Sequence, residues 1–302
     1  MEKKGCGSIA LGMFLLLVAM AFGAMKWNVS ADSAYRKEIE QWRQDRAKSV
    51  GSPDGWLAVA GLFWLEQGEN RIGTDDKDAV VLPKRLPKHI GTLVLKGDEV
   101  KAVAVDGVKL LLNGKPFIQA ELKSDAVGKP DQLSIDSCTF FVIKRGDRIG
   151  VRLKDSQSEH RLRFKGLEWY PIREDWRILA NFVPYDPPRT MKIASVIGTQ
   201  SEMKSPGYVT FTRDGKEYRL TPVEEDGKLF FMLRDKTSGD TTYGASRFLY
   251  AEMPIAGKVI LDFNRATNPP CAYTAFATCP LPPAENTLDV AITAGEKTYP
   301  DH

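Results

Sequence analysis

Histidine is scarce in this chain, three in 302 residues, at His89, His160 and His302. Spread that widely, they cannot form a local metal cluster, and the acidic run Thr74-Asp-Asp-Lys-Asp78 lacks the ligand spacing and the glycine of a calcium loop. No phosphate loop, dinucleotide fingerprint or catalytic-triad signature is present, so no cofactor is indicated. An excess of charge of one sign is missing as well. Forty-two Lys and Arg face 39 Asp and Glu, for a net charge of +3. The signs alternate throughout, which leaves no basic stripe for nucleic acid. Cysteine is limited to Cys6, Cys138, Cys271 and Cys279. These absences remove whole classes of chemistry without supplying one.

Only one long hydrophobic run exists. Met-Glu-Lys-Lys is followed by uncharged residues 5–25, with an apolar heart at 9–18 and on to Phe22. The Lys pair stays in the cytoplasm, so the chain beyond the apolar run is expected to be exported. The run is just long enough to span a bilayer, while Ala21-Phe-Gly23 and Val29-Ser-Ala31 fit secretory cleavage sites. Residues 1–31 therefore read either as a cleaved signal peptide or as a retained membrane anchor. The expected location is periplasmic or otherwise extracytoplasmic, at the inner membrane if the leader stays.

Residues 32–50 predict an amphipathic helix. Ser33 can cap it, and Tyr35, Ile39 and Trp42 recur at i, i+4 and i+7. Gly51-Ser-Pro-Asp-Gly55 ends it, and residues 56–65 then read as a short buried segment, helical or extended. From Gly68 the pattern becomes short β-rich runs separated by Lys96-Gly-Asp98, Asp106-Gly107, Asn113-Gly114 and Arg145-Gly-Asp-Arg148. The Arg-Gly-Asp tripeptide reads as a hairpin tip, not an adhesion signal. Pro184-Tyr-Asp-Pro-Pro188 predicts a rigid connector. Further strands are predicted at 191–197, 208–213, 218–223, 229–233, 247–252, 258–263 and 288–294. The expected class is all-β: one antiparallel domain over 51–183 and a second, small sandwich or barrel, over 184–302.

Two resemblances bear on this. Glu69-Asn-Arg-Ile-Gly73, Asp78, His89 and Asn113-Gly114 resemble the forkhead-associated domain, a β-sandwich that binds phosphothreonine through a loop Arg. Here Thr74 stands where that Arg is expected, with Asp75 and Asp76 beside it, so the resemblance implies the sandwich and not phosphopeptide binding. A longer set of strings covers nearly the whole exported chain. Gly61-Leu-Phe-Trp-Leu65, Pro184-Tyr-Asp-Pro-Pro-Arg189, Ser205-Pro-Gly-Tyr208, Asp262-Phe-Asn-Arg265, Asn268-Pro-Pro-Cys-Ala-Tyr273 and Ala277-Thr-Cys-Pro-Leu-Pro282 resemble the bacterial domain-of-unknown-function family 1684. That resemblance implies one recurrent unit and no mechanism.

The Pro-bounded stretch 261–283 concentrates polar, aromatic and thiol groups where the backbone is stiff. Candidate ligand-binding residues are Tyr243, Arg247, Asp262, Asn264, Arg265, Cys271 and Tyr273, with Ser246 and Tyr250 nearby in sequence. Strand alternation places Asp262 and Asn264 on one face. Arg247 or Arg265 can instead pair with Asp262 and tie the loop to the sheet as a scaffold. Cys271 and Cys279, eight apart, can form a disulfide, remain an inert pair, or present Cys271 as a nucleophile; Cys138 reads as a buried free thiol. Two functions are compatible with these residues: an exported protein binding a small ligand or envelope partner at 262–273, or a hydrolase with Asp262 as base or electrostatic partner, Arg247 or Arg265 as oxyanion stabiliser and Cys271 as a candidate nucleophile.

Overall fold

A computed structural model describes residues 33–300, so the predicted leader lies outside the described residues. Among those described, no helix is long and apolar enough to cross a membrane. Helix α1 occupies residues 33–50 as expected, with Ile39 buried and Tyr35 and Trp42 half-buried. Residues 47–302 form one compact unit.

The unit begins with a single 3₁₀ turn, Trp56–Ala58, leading into β1 (Val59–Trp64). There follow β2 (Gly68–Gly73), β3 (Val80–Val81), β4 (His89–Lys96), β5 (Glu99–Ala104), β6 (Leu111–Leu112), β7 (Lys115–Pro116), β8 (Gln119–Leu122), β9 (Leu133–Ile135), β10 (Cys138–Arg145) and β11 (Arg148–Asp155). They make a six-stranded sheet in the order β1-β11-β10-β9-β6-β7 and a five-stranded sheet in the order β3-β2-β4-β5-β8. Inward residues of both sheets, among them Ile72, Ile90, Leu93 and Val100 on one and Leu133, Phe140, Val142 and Val151 on the other, share one core. This is the two-layer packing that alternating patterns produce. All pairings are antiparallel except β2 with β3, which is parallel. The Asn113-Gly114 hairpin forms because both residues take positive φ, 49° and 79°, the primed-turn geometry that fits strand twist.

A one-turn helix α2 (Glu159–Leu162) precedes the second half. There β12 (Arg177–Ala194), β13 (Gln200–Arg213), β14 (Lys216–Leu220), β15 (Val223–Glu225), β16 (Lys228–Leu233), β17 (Arg247–Ala251) and β18 (Lys258–Asp262) form two antiparallel sheets, β14-β13-β12-β18 and β15-β16-β17. Ala180, Val209, Phe211 and Leu220 from the first pack with Phe231, Leu233 and Leu249 from the second, closed by Trp176, Phe263 and Ile292.

Two expectations fail here. Pro184–Pro188 is not a connector: it lies inside β12, where the register passes from Pro184↔Gly207 to Arg189↔Ser205, so residues 185–188 bulge opposite Pro206 alone. Proline is tolerated at such a bulge because no ladder N–H is needed there. The division expected at 183/184 therefore falls within a strand. Residues 288–294 are likewise not a strand. Only scattered backbone bonds such as Lys236 N to Val290 O form there, and Ile292 O and Ala294 O accept from Arg247 instead, so no continuous ladder forms.

Candidate functional site

Strand β18 ends at Asp262, opposite Arg177, and runs into the 3₁₀ turn Phe263–Arg265. Asp262 Oδ1 caps that turn, accepting from the Asn264 amide and from Asn264 Nδ2, both at 3.2 Å. Its other oxygen lies 3.5 Å from Arg265 Nε, in a pair that keeps some contact with solvent. Asn264 is fully buried and pins the segment before β12: its Oδ1 accepts from Arg173 N at 2.9 Å and its Nδ2 donates to Arg173 O at 2.7 Å. Asp262 and Asn264 do meet, but through a turn and not by strand alternation.

Arg247 is elsewhere. Its guanidinium is bound to Asp235, both side chains being wholly enclosed, and also to Ala294 O at 2.6 Å and Ile292 O at 3.1 Å. Asp235 in turn accepts from Thr237 N at 2.8 Å and Thr237 Oγ1 at 2.6 Å. Of the two arginines expected to pair with Asp262, Arg265 does so, while Arg247 pairs instead with Asp235 and has no open side from which to stabilise an oxyanion. Tyr250 faces outward, bonded to Glu225 and stacked on Phe230 at 4.7 Å. Ser246 is enclosed.

Tyr273 is also interior. Its hydroxyl donates to the buried Glu296, which accepts from Asn268 Nδ2 at 3.0 Å, while the Tyr273 carbonyl meets His160 Nε2 at 2.8 Å. Glu296 had no signal in the sequence, since its partners lie 23 and 28 residues away.

Cys271 and Cys279 are neighbours but not bridged: the Cys271 amide donates to Cys279 Sγ at 3.0 Å, and both are free buried thiols, as is Cys138. The expected disulfide is replaced by a hydrogen-bonded pair. Contact with Cys279 draws the Cys271 thiol below its ordinary pKa, burial opposes this, and the nearby Tyr243 hydroxyl adds to the lowering. Tyr243 donates its one hydroxyl proton to the Cys271 carbonyl at 3.1 Å. Cys138, by contrast, is pushed up to about 11 by burial.

The forkhead-like positions serve as turn hardware. Thr74 is buried; Asp78 pairs with Arg71 at 2.9 Å and accepts from Asp75 N at 3.0 Å; Asn113 bonds Asp131 at 2.8 Å. A shallow depression of about 150 Å³ in this half has Arg148 stacked on Trp64 at 3.8 Å.

An exposed cluster stands where the sequence pattern suggests a connector. Arg189 stacks over Tyr185 at 4.0 Å, Tyr185 lies 5.8 Å from Tyr208, and Arg219 stacks over Tyr208 at 3.6 Å while donating to the Tyr185 hydroxyl at 2.7 Å. Both guanidinium groups are exposed, and neither is ion-paired among the described residues. Register made it: Val183 faces Tyr208 and Thr210 faces Arg219, so residues from three strands converge at the bulge. The strings Pro184-Tyr-Asp-Pro-Pro-Arg189 and Ser205-Pro-Gly-Tyr208 were the available signal.

These features define a largely β protein whose central polar groups are internal ties, with no group of His, Cys, Asp and Glu able to hold a metal among the described residues. Through residues 162–297 the chain matches the family described as Protein of unknown function (DUF1684). It is similar to an uncharacterised protein of Haloarcula marismortui known from a solution NMR structure, at 30% identity over 48% of this chain and 82% of that one, with a TM-score of 0.41. No curated protein matches.

Proposed function

We propose that this is an exported, non-catalytic binding protein of the cell envelope, that segment 262–273 is the frame of its fold, and that ligand is taken at the Arg189–Tyr185–Tyr208–Arg219 cluster. The carrying observation is that two guanidinium groups stand exposed and without ion-pair partners over the faces of two adjacent tyrosine rings, whereas Asp262, Asn264, Arg247 and Tyr273 are turned inward. Stacking on rings orders the arginines before any ligand arrives, which reduces the entropy lost on binding. Fixed, forked donors beside aromatic faces suit carboxylates carried on rings that present an apolar C–H face. The fitting ligand class is an acidic polysaccharide.

Titration calorimetry with polygalacturonate as probe tests this. Binding should weaken with salt, and Arg219→Gln or Arg189→Gln should each lower affinity by about tenfold or more, the scale of one charge-assisted hydrogen bond. Neutral dextran should not bind. If polygalacturonate fails to bind, or both variants bind it as the parent does, the assignment is wrong.

A further inference from the structure

Cys271 and Cys279 lie in a setting that goes beyond packing. Around them are Trp56, Tyr243, Met191 and Met203, over a floor of Phe230, Met232 and Phe248. Arg152 of β11, only 5% exposed, reaches the same place. Its Nη2 finds Thr278 Oγ1 at 3.3 Å, its Nε has no hydrogen-bond partner, and no described carboxylate forms an ion pair with it. Arg145 of β10 also donates to Thr278 Oγ1, at 3.0 Å, but is itself paired with Asp125 at 2.8 Å. The neighbourhood therefore carries one guanidinium in excess, and the desolvation is large enough to lower the pKa of Arg152 to about 10. A buried charge without a partner is strongly unfavourable. Its bond to Thr278 sets Arg152 beside Cys279, so the neighbouring group able to supply negative charge is the thiol pair, through Cys279 first.

We propose that Cys271 and Cys279 form a redox-active dithiol that exchanges with an external disulfide, Cys271 attacking and Cys279 resolving. The two thiols are not equivalent. The Cys271 amide donates to Cys279 Sγ at 3.0 Å, which holds the two sulfurs' residues in contact, and Cys271 is the thiol drawn below its ordinary pKa and retains 7% exposure, against 4% for Cys279 and 0% for Cys138. In the first step the Cys271 thiolate attacks one sulfur of the external disulfide. A mixed disulfide forms and one thiolate leaves, taking up a proton. In the second, Cys279 gives up its proton and attacks the Cys271 sulfur, forming the internal disulfide and releasing the second thiol. The protein loses two electrons and two protons, and the external disulfide gains both. Groups facing the pair are Tyr243 before β17, Arg152 on β11, and the Arg145–Asp125 ion pair.

The test is iodoacetamide labelling of the folded full chain, read site by site by peptide mass spectrometry across pH. Cys271 should label about tenfold or more faster than Cys138 at neutral pH, with a half-point below the ~8.5 of an ordinary thiol. Arg152→Met should raise that half-point and Arg152→Lys should restore most of the shift, which a purely structural role would not do. Should Arg152→Met fail to fold, Tyr243→Phe, which removes a donor, should raise it as well. With glutathione disulfide the parent protein should release two glutathione molecules, whereas Cys279→Ser should release one and keep the other in a mixed disulfide with Cys271. Equal labelling of Cys271 and Cys138, a half-point unmoved by Arg152→Lys, Arg152→Met and Tyr243→Phe alike, or a 271–279 bridge that dithiothreitol cannot open in the folded protein would each overturn the proposal.

Discussion

Asp235 and Asp262 bear similar-looking carboxylates with different burdens. Asp235 shares a wholly enclosed site with Arg247, so Asp235→Ala strands a buried guanidinium and should lower stability by about 3–5 kcal/mol. Asp262 caps a 3₁₀ turn and touches Arg265 at 3.5 Å at a wetter position, so Asp262→Ala should lower it by only about 1–2 kcal/mol. Urea unfolding of the two variants checks the order; equal losses would mean that the Asp262 pair carries the loop after all. Asp175 offers a test by pH. Hydrogen bonds from Arg173 and Arg213 hold its carboxyl at about 2, below the ~3.9 of an unfolded chain. A depressed folded pKa contributes stability above about pH 4 that is lost as pH falls toward 2. The side chain is 46% exposed, so the contribution should stay under about 1 kcal/mol. The melting temperatures of the parent and Asp175→Asn should differ at pH 5 and converge near pH 2.

At the level of elements, β12 decides most. It pairs with β18 through 177–181 and with β13 on either side of its bulge, so one strand positions both the Asp262 turn and the arginine–tyrosine cluster. The pairing at the bulge requires glycine at 207: a Cβ there would lie 2.3 Å from Val183 O and 2.6 Å from the Phe182 ring. Gly207→Ala should thus destabilise by about 1–3 kcal/mol and also weaken polygalacturonate binding, because it forces β12 away from Tyr208. Loss of stability with binding intact would separate the bulge from the cluster.

For the whole molecule, a fragment starting at residue 184 removes the part of β12 that pairs with β18 and takes with it Trp176 and Ala180 of the core. Fragment 184–302 should show no cooperative melting, whereas 47–302 should unfold in a single transition. A fusion of residues 1–35 to a reporter active only outside the cytoplasm should be active, and cytoplasmic activity would end the assignment to the envelope. Much of the architecture was legible from local pattern. Short β-rich runs marked β10, β16 and β18, and glycine-bearing turn pairs such as Gly146-Asp147 after β10 and Asp226-Gly227 before β16 marked where the chain reverses, because both signals arise within a few residues of chain. So was the concentration of ordering groups at 262–279. Partnership was not legible, since Arg247 finds Asp235 and not Asp262, Tyr273 finds Glu296, and Arg152 reaches the Cys279 loop from 126 residues away. Those choices depend on which strand lies beside which and in what register, and burial makes them exclusive: once water is gone, a charged or polar group is held by whatever partner the packing brings within reach.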